Sequence, residues 1–165
     1  MKVSKKILIL GHFGVGKTSL IQRFVKNSFS EDYKVSIGVH ISKKEVTVLE
    51  KSNVSLILWD IEGTDDMANL RDSYLLGTHG IIYVFDILRR STIKNIDSSI
   101  AYLSKKIPNT PILIVANKSD MVDVDTTKKI FQDKNIPYNF MVSAKTGEEV
   151  ERLFVEMATI LNSHV

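Results

Sequence analysis

The segment that most constrains the fold of this chain is residues 11–18, which read G-H-F-G-V-G-K-T. An apolar run at residues 7–10, typical of a buried strand, precedes it, and the helix-like segment 19–25 follows it. In a loop of the form G-x-x-x-x-G-K-[ST] between a strand and a helix, backbone N–H groups surround a polyphosphate. The lysine reaches the β- and γ-phosphates, and the hydroxyl binds Mg²⁺. All fixed positions and both flanks agree, so the sequence predicts a phosphate-binding loop rather than a glycine-rich turn that merely reverses the chain.

The length and net charge of the chain limit the classes of protein that it can belong to. A chain of 165 residues is predicted to form one domain, residues 1–165, with a sizeable hydrophobic core. Its net charge is only +3 and its basic residues are scattered, whereas nucleic-acid binding needs a concentrated basic face. We therefore expect a monomer that binds no nucleic acid.

We expect no membrane anchor within this sequence. It contains no cysteine, which excludes disulfide bonds, thiolate metal sites and thiol lipidation. Its apolar runs are far too short to cross a membrane. Lys2 occupies the position where N-myristoylation requires glycine. We expect a cytosolic protein that meets a membrane only through a partner or a tail missing from this sequence.

Three continuous apolar runs, at residues 7–10, 81–85 and 112–116, are typical of strands buried on both faces. Apolar residues that recur every three or four positions predict helices between and after them. Such alternation predicts right-handed crossovers and a largely parallel sheet with helices on both faces. The two clearest helical series are Ile93, Ile96, Ile100, Leu103 and Ile107, and Val150, Leu153, Phe154, Met157, Ile160 and Leu161.

Residues 37–49 and 54–59 alternate between apolar and polar side chains and are joined by the polar turn 50–53, which predicts an antiparallel hairpin. Residues 137–142 predict a last short strand. The predicted fold is therefore an α/β P-loop NTPase, with a six-stranded, mostly parallel sheet whose second strand is an antiparallel edge. Ligand chemistry in such a sheet lies in loops at the carboxyl ends of the strands.

Polar motifs follow three of the predicted strands. Asp60 and Gly63 form a D-x-x-G motif, in which the acid holds Mg²⁺ through its water shell and the glycine N–H faces a γ-phosphate. The motifs N-K-S-D and S-A-K stand at residues 117–120 and 143–145. Each motif alone also occurs in ordinary turns. Their joint occurrence behind a phosphate loop favours a nucleotide site.

The N-K-S-D motif predicts the base. The Asp120 carboxylate can accept hydrogen bonds from the N1–H and the exocyclic amine of guanine, whereas adenine would leave that acid unpaired. Lys118 is expected to lie along the base, and the Ala144 N–H to meet guanine O6. The sequence therefore predicts a guanine nucleotide, GTP or GDP, with Mg²⁺.

Together these motifs resemble the Ras-like small GTPases over essentially the whole chain, and within them the Rab branch. Residues 33–39 are similar to the Rab switch I segment, and Trp59-Asp60 is similar to the entry of switch II. The resemblance implies a GTP/GDP switch that meets an effector, an exchange factor and a GTPase-activating protein through its switch regions. It implies that Phe29 stacks edge-on over guanine, and that the Ser36 hydroxyl reaches Mg²⁺ only when a γ-phosphate is present.

The resemblance also implies a set of site residues. Ile41, Trp59 and Tyr74 correspond to an apolar face that Rabs expose to effectors, with simple packing on the sheet as the alternative. The nucleotide-binding residues are Phe13, Gly14, Val15, Gly16, Lys17, Thr18, Ser19, Phe29, Ser36, Gly63, Asn117, Lys118, Asp120, Ser143, Ala144 and Lys145. The metal ligands are Thr18, Ser36 and Asp60, and the catalytic residues are Lys17, Gly63 and, with a weak contribution, Thr64.

Four positions around the γ-phosphate depart from the family pattern. Thr64 stands where relatives carry a water-orienting glutamine, and it is too short to replace it. Phe13 either crowds the approach of an incoming arginine finger or folds away against switch II. Glu62 is expected to point to solvent, because a second carboxylate beside a polyanion is unfavourable. Ser36 keeps the hydroxyl of the usual threonine but lacks its stiffening methyl. Arg71, on the predicted switch II helix, lies too far along to act as a built-in finger.

Three functions fit these residues. The first is a GTP/GDP switch whose intrinsic hydrolysis is slow and depends on a partner. The second is a GTP-binding interaction module that is deficient in hydrolysis. The third, an ATPase or a small-molecule kinase, needs adenine tolerance and a second substrate site, and Asp120 argues against it.

Overall fold

The computed structural model describes residues 3–32, 37–49 and 52–163. Six strands of this part of the chain form one sheet in the order β2-β3-β1-β4-β5-β6. Every neighbouring pair is parallel except β2 and β3, which confirms the predicted sheet with its antiparallel edge strand. The strands are β1 (Val3–Gly11), β2 (Val39–Thr47), β3 (Asn53–Ile61), β4 (Gly80–Asp86), β5 (Ile112–Asn117) and β6 (Phe140–Met141).

Helices cover both faces of the sheet, as the alternating pattern predicts. On one face α1 and α6 pack against the sheet, and on the other α2, α4 and α5 do. The helices are α1 (Lys17–Lys26), α2 (Asp72–Leu75), α3 (Arg90–Ile93), α4 (Ile96–Lys106), α5 (Val124–Asp133) and α6 (Val150–Asn162), with 3₁₀ turns at Met67–Asn69 and Ser119–Met121.

The central strands lie between two hydrophobic layers. All seven residues of β4 are buried, and the apolar side chains of β1 alternate between the two layers. Ile7 and Ile9 join the layer under α1 and α6, whereas Leu8 and Leu10 join the layer under α4 and α5. This two-sided burial is why these strands read as continuous apolar runs.

The predicted helix that carries Ile93 to Ile107 is divided in two. Ile93 ends α3, and α4 begins at Ile96 after Asn95, whose backbone (φ −105°, ψ 13°) is not helical. Asparagine has a lower helix propensity than most residues and tolerates such a position, although its side chain makes no capping hydrogen bond here. The apolar period continues across the break, so periodicity alone did not indicate it.

Strand ends also differ from the predicted limits. β1 starts at Val3 rather than at residue 7, β2 covers Val39–Thr47 rather than residues 37–49, and β6 contains only Phe140–Met141 of the predicted 137–142. Just before β6, the Asn139 side-chain oxygen accepts the Ile114 N–H at 2.8 Å, so a side chain takes the place of a backbone carbonyl at the start of this strand. Residues 50 and 51 of the hairpin turn lie outside the described residues.

The chain order reverses at β1, whose neighbours are β3 on one side and β4 on the other. In open α/β sheets, the crevice at such a reversal is where ligands bind. The phosphate loop, residues 11–18, leaves the carboxyl end of β1 and enters α1 at Lys17. The fold therefore places the predicted phosphate loop at the crevice.

Among the residues that the structure describes, no helix combines the length and the apolarity needed to cross a membrane.

An aromatic stack fixes α1, and with it the phosphate loop, to the last helix. The rings of Phe24 on α1 and Phe154 on α6 are stacked, with centroids 4.0 Å apart and an interplanar angle of 10°. Phe24 is 2% exposed and Phe154 is fully buried. Loss of either ring would leave a cavity between α1 and the sheet.

We predict that Phe154→Ala lowers the free energy of unfolding by about 3–5 kcal/mol, because it removes a fully buried ring. Urea denaturation followed by circular dichroism measures this change. The control is Ile130→Ala on α5, whose side chain is 44% exposed, and its expected change is within about 0.5 kcal/mol. Equal stabilities of Phe154→Ala and the control would contradict this account of the core.

Candidate nucleotide site

A cleft of about 450 Å³ opens at the carboxyl ends of the strands. Six segments meet there, namely the phosphate loop with the start of α1, the segment that follows α1, and those that follow β3, β4, β5 and β6. Thirteen of the predicted site residues line it: Phe13, Gly14, Gly16, Lys17, Thr18, Ser19, Phe29, Gly63, Asn117, Lys118, Asp120, Ala144 and Lys145.

The other predicted residues lie elsewhere. Val15, Asp60 and Ser143 are buried behind the cleft and contact residues that line it. Thr64 does not line the cleft. Ser36, the predicted third metal ligand, falls on residues 33–36, which lie outside the described residues.

Lys17 places a buried positive charge in the phosphate loop. Its Nζ donates to the carbonyl oxygens of His12 at 2.9 Å and Gly11 at 3.3 Å, and the residue is only 6% exposed. Burial lowers the pKa of Lys17 to about 8, with the Asp60 charge opposing this change and the Arg89 charge adding to it. A polyphosphate would favour the protonated ammonium, so the group fits an anion that bears several charges.

Two glycines allow the loops to approach each other. Gly16 has φ +100°, and a Cβ there would lie 2.3 Å from Asn117 Nδ2. A Cβ on Gly63 would lie 2.5 Å from the Phe13 backbone nitrogen. A side chain at position 16 would strain the backbone and displace the Asn117 amide from the Val15 carbonyl, and one at position 63 would displace the phosphate-loop backbone. The D-x-x-G loop therefore packs directly on the phosphate loop.

Thr18 and Asp60 form the core of the candidate metal site. The Thr18 hydroxyl donates to Asp60 Oδ2 at 2.6 Å, and Asp60 is 3% exposed. Because the Thr18 hydroxyl proton points to the Asp60 carboxylate, the lone pairs of the Thr18 oxygen can bind a cation. Oxygen donors of this kind suit Mg²⁺, which keeps several waters in such sites. The two residues therefore fit the predicted metal.

Asn117 connects the base end of the cleft to the phosphate loop. Its Nδ2 donates to the Val15 carbonyl at 2.9 Å, and its Oδ1 accepts the Ala144 N–H at 3.1 Å. Ala144 N–H is thus already engaged, and it would have to share or exchange this partner to meet guanine O6. The sequence alone did not indicate that competition.

Asp120 faces the cleft with one oxygen held from behind. Its Oδ1 accepts the Ser143 hydroxyl at 2.7 Å, and Ser143 Oγ accepts the Thr146 N–H at 3.0 Å. Ser143 thus orients the carboxylate instead of lining the cleft itself. An oriented carboxylate is what recognition of two guanine donors requires.

Two further residues contact the loops that follow β5 and β6, at the end of the cleft predicted to bind the base. Sequence analysis missed both. Asp86, which is 1% exposed, pairs with Lys118 Nζ at 2.7 Å. Arg23 on α1 donates from Nε to the Ala144 carbonyl at 2.9 Å, and from Nη2 to the Lys145 carbonyl. Both contacts join residues far apart in the chain, so no local pattern could have indicated them.

Three of the residues that depart from the family pattern, Phe13, Glu62 and Thr64, lie in the described part of the chain. Phe13 lines the cleft with 44% of its surface exposed, so its ring is not folded away in the core. Glu62 is exposed, as expected. Its side-chain Oε2 accepts the Gly38 N–H at 3.1 Å, and its backbone N–H donates to the Gly38 carbonyl at 2.9 Å. The Thr64 hydroxyl donates to the Asp66 carbonyl at 2.8 Å. Glu62 therefore joins the two switch segments, and Thr64 is engaged within its own turn.

The three apolar residues of the candidate effector face lie side by side. Ile41 pairs with Trp59 across the β2–β3 ladder, and the rings of Trp59 and Tyr74 meet edge to face at 6.3 Å. Ile41 is 56% exposed, whereas the two aromatic residues are half-buried against the core. Lys6 Nζ lies 3.8 Å from the Trp59 ring centroid and donates to the Tyr74 carbonyl at 2.7 Å. The two rings are therefore packed in part on the sheet and Ile41 is exposed, and the role of the three residues as an effector face stays a prediction.

Comparison with known proteins agrees with this geometry. Residues 6–163 match the model of the Ras family. The chain is 32% identical to the Ras-related protein Rab-1 of Theileria annulata, over 97% of this chain and 75% of that protein. It is 33% identical to the GTP-binding protein ypt1 of Schizosaccharomyces pombe, over 93% and 77%. It is also 33% identical to the Ypt/Rab-type GTPase YPT7 of Saccharomyces cerevisiae, over 93% and 79%. The chain therefore belongs to the Ras family of small GTPases and is similar to its Rab and Ypt members.

Proposed function

We propose that this protein is a GTP/GDP switch that binds its nucleotide with Mg²⁺ and hydrolyses GTP slowly unless a partner assists. The observation that carries the proposal is the charge arrangement of one cleft. The buried Lys17 ammonium and the Thr18–Asp60 pair stand at one end, and the oriented Asp120 carboxylate stands at the other. Polyphosphate, metal and guanine each have a matching group.

The proposed binding mode follows from the donors and acceptors. The phosphate-loop N–H groups and Lys17 bind the β- and γ-phosphates, and Thr18, Asp60 and Ser36 hold the metal. When bound, Mg²⁺ neutralises charge on the β- and γ-phosphate oxygens. Asp120 accepts from the guanine edge, while Lys118 and Phe29 flank the base. Adenine lacks this pair of donors, so Asp120 would gain no hydrogen bond from the base beyond the one it accepts from Ser143, which disfavours ATP.

The proposed switch links the metal site to both switch segments. Gly63 offers its N–H to the γ-phosphate, and the residue before it, Glu62, which follows β3, is hydrogen-bonded to Gly38 in switch I. Loss of the γ-phosphate would release Gly63 and Ser36 together. The candidate effector face lies beside these segments, with Ile41 on β2, Trp59 on β3 and Tyr74 on α2. An effector, an exchange factor and a GTPase-activating protein would therefore meet the switch regions.

A second function is favoured by two observations. The Thr64 hydroxyl is held in its own turn, and the exposed Phe13 ring stands at the cleft where an external arginine would approach. Both disfavour hydrolysis, so the alternative is a module that stays GTP-bound and serves as a docking surface.

Single-turnover hydrolysis separates the two functions. The protein is loaded with γ-labelled GTP and Mg²⁺, and phosphate release is followed over hours, alone and with cell extract as a source of an activating protein. Slow release that is lost in Lys17→Ala and accelerated by extract supports the switch. Bound GTP without release above that of free nucleotide, with or without extract, supports the docking module.

We predict that Asp120→Asn weakens GTP and GDP binding by about 10²-fold or more, because an amide cannot accept from both guanine donors. The same variant should gain affinity for xanthosine diphosphate, whose C2 carbonyl can accept from the new amide. Fluorescent-nucleotide displacement measures both affinities. The control is Asp123→Asn, since Asp123 accepts the Thr126 N–H at the start of α5 and does not line the cleft. Unchanged guanine affinity in Asp120→Asn would refute this assignment of the base site.

We predict that Thr64→Gln combined with Phe13→Gly raises the single-turnover rate by about tenfold or more, because glutamine can orient the attacking water and the ring is removed. The control is Thr64→Val, which breaks the hydroxyl contact to Asp66 without supplying an amide. If the double variant hydrolyses GTP no faster than the control, the proposed cause of slow hydrolysis is wrong.

A further inference from the structure

The turn that follows β4 brings a second cation to the phosphate loop. Arg89 Nη1 donates to the carbonyl oxygen of Phe13 at 2.6 Å, although the two residues are 76 positions apart. Phe13 and Leu88, the chain neighbour of Arg89, both line the cleft. Arg89 does not itself line the cleft, so its guanidinium is held just outside it, on the backbone of the third position of the phosphate loop.

The backbone of this turn is fixed by a buried threonine. Thr92 is fully buried, and its Oγ1 lies 2.8 Å from the Arg89 carbonyl and accepts the Asp86 N–H at 3.0 Å. The Arg89 N–H donates to the Asp86 carbonyl at 3.1 Å. The same turn thus positions Asp86 toward Lys118 and Arg89 toward the phosphate loop. A fixed backbone lowers the entropy lost when Arg89 binds a ligand.

The charge of Arg89 acts on the phosphate loop. Burial first, and then the Arg89 charge, lower the pKa of His12. Lys17 Nζ donates to the Gly11 and His12 carbonyls, directly before the Phe13 carbonyl that accepts from Arg89. In the part of the chain that the structure describes, no carboxylate forms an ion pair with Arg89. Two cations therefore converge on one loop at a cost in Coulomb energy, and a polyanion bound beside them would offset that cost.

We propose that Arg89 acts in cis as a catalytic arginine, binding the γ-phosphate and stabilising the negative charge that develops on it and on the β–γ bridging oxygen. The proposal rests on the proposed function, because it concerns the hydrolysis of GTP. Water attacks the γ-phosphorus, the bond from that phosphorus to the bridging oxygen breaks, and its electron pair remains on the β-phosphate of GDP. The proton of the water leaves with inorganic phosphate or passes to solvent.

The side chain suits this role. A guanidinium has five N–H donors, so a bond to the Phe13 carbonyl leaves others for phosphate oxygens. The contact is to backbone, so it does not depend on which side chain stands at position 13. Arg89 supplies charge but does not orient water, which is the function that Thr64 lacks. Intrinsic hydrolysis is therefore expected to be faster with Arg89 than without it, and still slow.

The first test is single-turnover hydrolysis by the full chain loaded with GTP and Mg²⁺. We expect Arg89→Ala to slow phosphate release by about tenfold or more, and Arg89→Lys to fall between Ala and the parent. The matched control is Arg90→Ala, which removes the same charge from the adjacent, exposed position and should leave the rate unchanged. Equal rates for Arg89→Ala and Arg90→Ala would overturn the proposal.

The second test is binding of aluminium fluoride to the GDP complex, which mimics the transferring phosphoryl group. Trp59 is the one tryptophan of the chain and lies on β3, so its fluorescence reports the switch region. We expect the parent GDP complex to bind fluoroaluminate without a partner, and Arg89→Ala to lose this binding while keeping its GDP affinity. No response in the parent would overturn the proposal.

The two proposals fail in different ways. If the parent protein does not bind GTP, the proposed function fails and this proposal fails with it. If GTP binds normally but Arg89→Ala changes neither the hydrolysis rate nor fluoroaluminate binding, only the role of Arg89 is refuted. If Arg89→Ala lowers the melting temperature and GDP affinity while bound GTP is hydrolysed at the parent rate, Arg89 is a structural support for the loop and the proposal is wrong.

Discussion

The side chain of Asn117 is the contact on which the rest of the cleft depends. At the end of β5, its amide donates to the Val15 carbonyl in the phosphate loop and accepts the Ala144 N–H from the segment after β6. Asn117 is 2% exposed, so losing either partner would leave a buried polar group unpaired. Gly16 must lack a side chain because Asn117 occupies that volume. Three loops distant in sequence are thereby held as one cradle.

Around this contact each end of the cleft carries its own binding groups. Lys17 and Arg89 bring two cations to the phosphate loop, whereas Asp120 presents an oriented carboxylate at the other end, where Lys118 and Lys145 are paired with Asp86 and Glu31. These groups match a ligand with an anionic polyphosphate and a base edge that donates hydrogen bonds. Asp86 and Arg23 support the base end without lining it, because each binds a loop residue from behind. Recognition is thus shared between residues that face the cleft and residues that orient them.

The features that the sequence predicted are those with local or periodic causes. The phosphate loop depends on glycine and lysine at fixed spacing, and the sheet depends on strands that are apolar on both faces. Both the strand arrangement and the antiparallel edge were therefore predicted correctly. The positions of Thr18, Asp60 and Asp120 followed from motif spacing, although their roles in binding stay predictions.

The features that the sequence did not predict depend on long-range contacts or on competition between partners. Arg23, Asp86 and Arg89 contact residues 121, 32 and 76 positions away, and no period or motif connects them. The break between α3 and α4 arises from the local backbone of Asn95 inside an unbroken apolar pattern. The engagement of the Ala144 N–H became visible only once Asn117 was placed beside it.

The most direct test of the central claim, that this cleft binds a guanine nucleotide, is competition at equilibrium. A fluorescent GDP analogue is bound to the protein in the presence of Mg²⁺, and unlabelled GDP, GTP and ATP are titrated against it. The account predicts that GDP and GTP displace the analogue at near-stoichiometric concentrations, while ATP does not displace it even in large excess. Displacement by ATP as effective as that by GTP would contradict the claim.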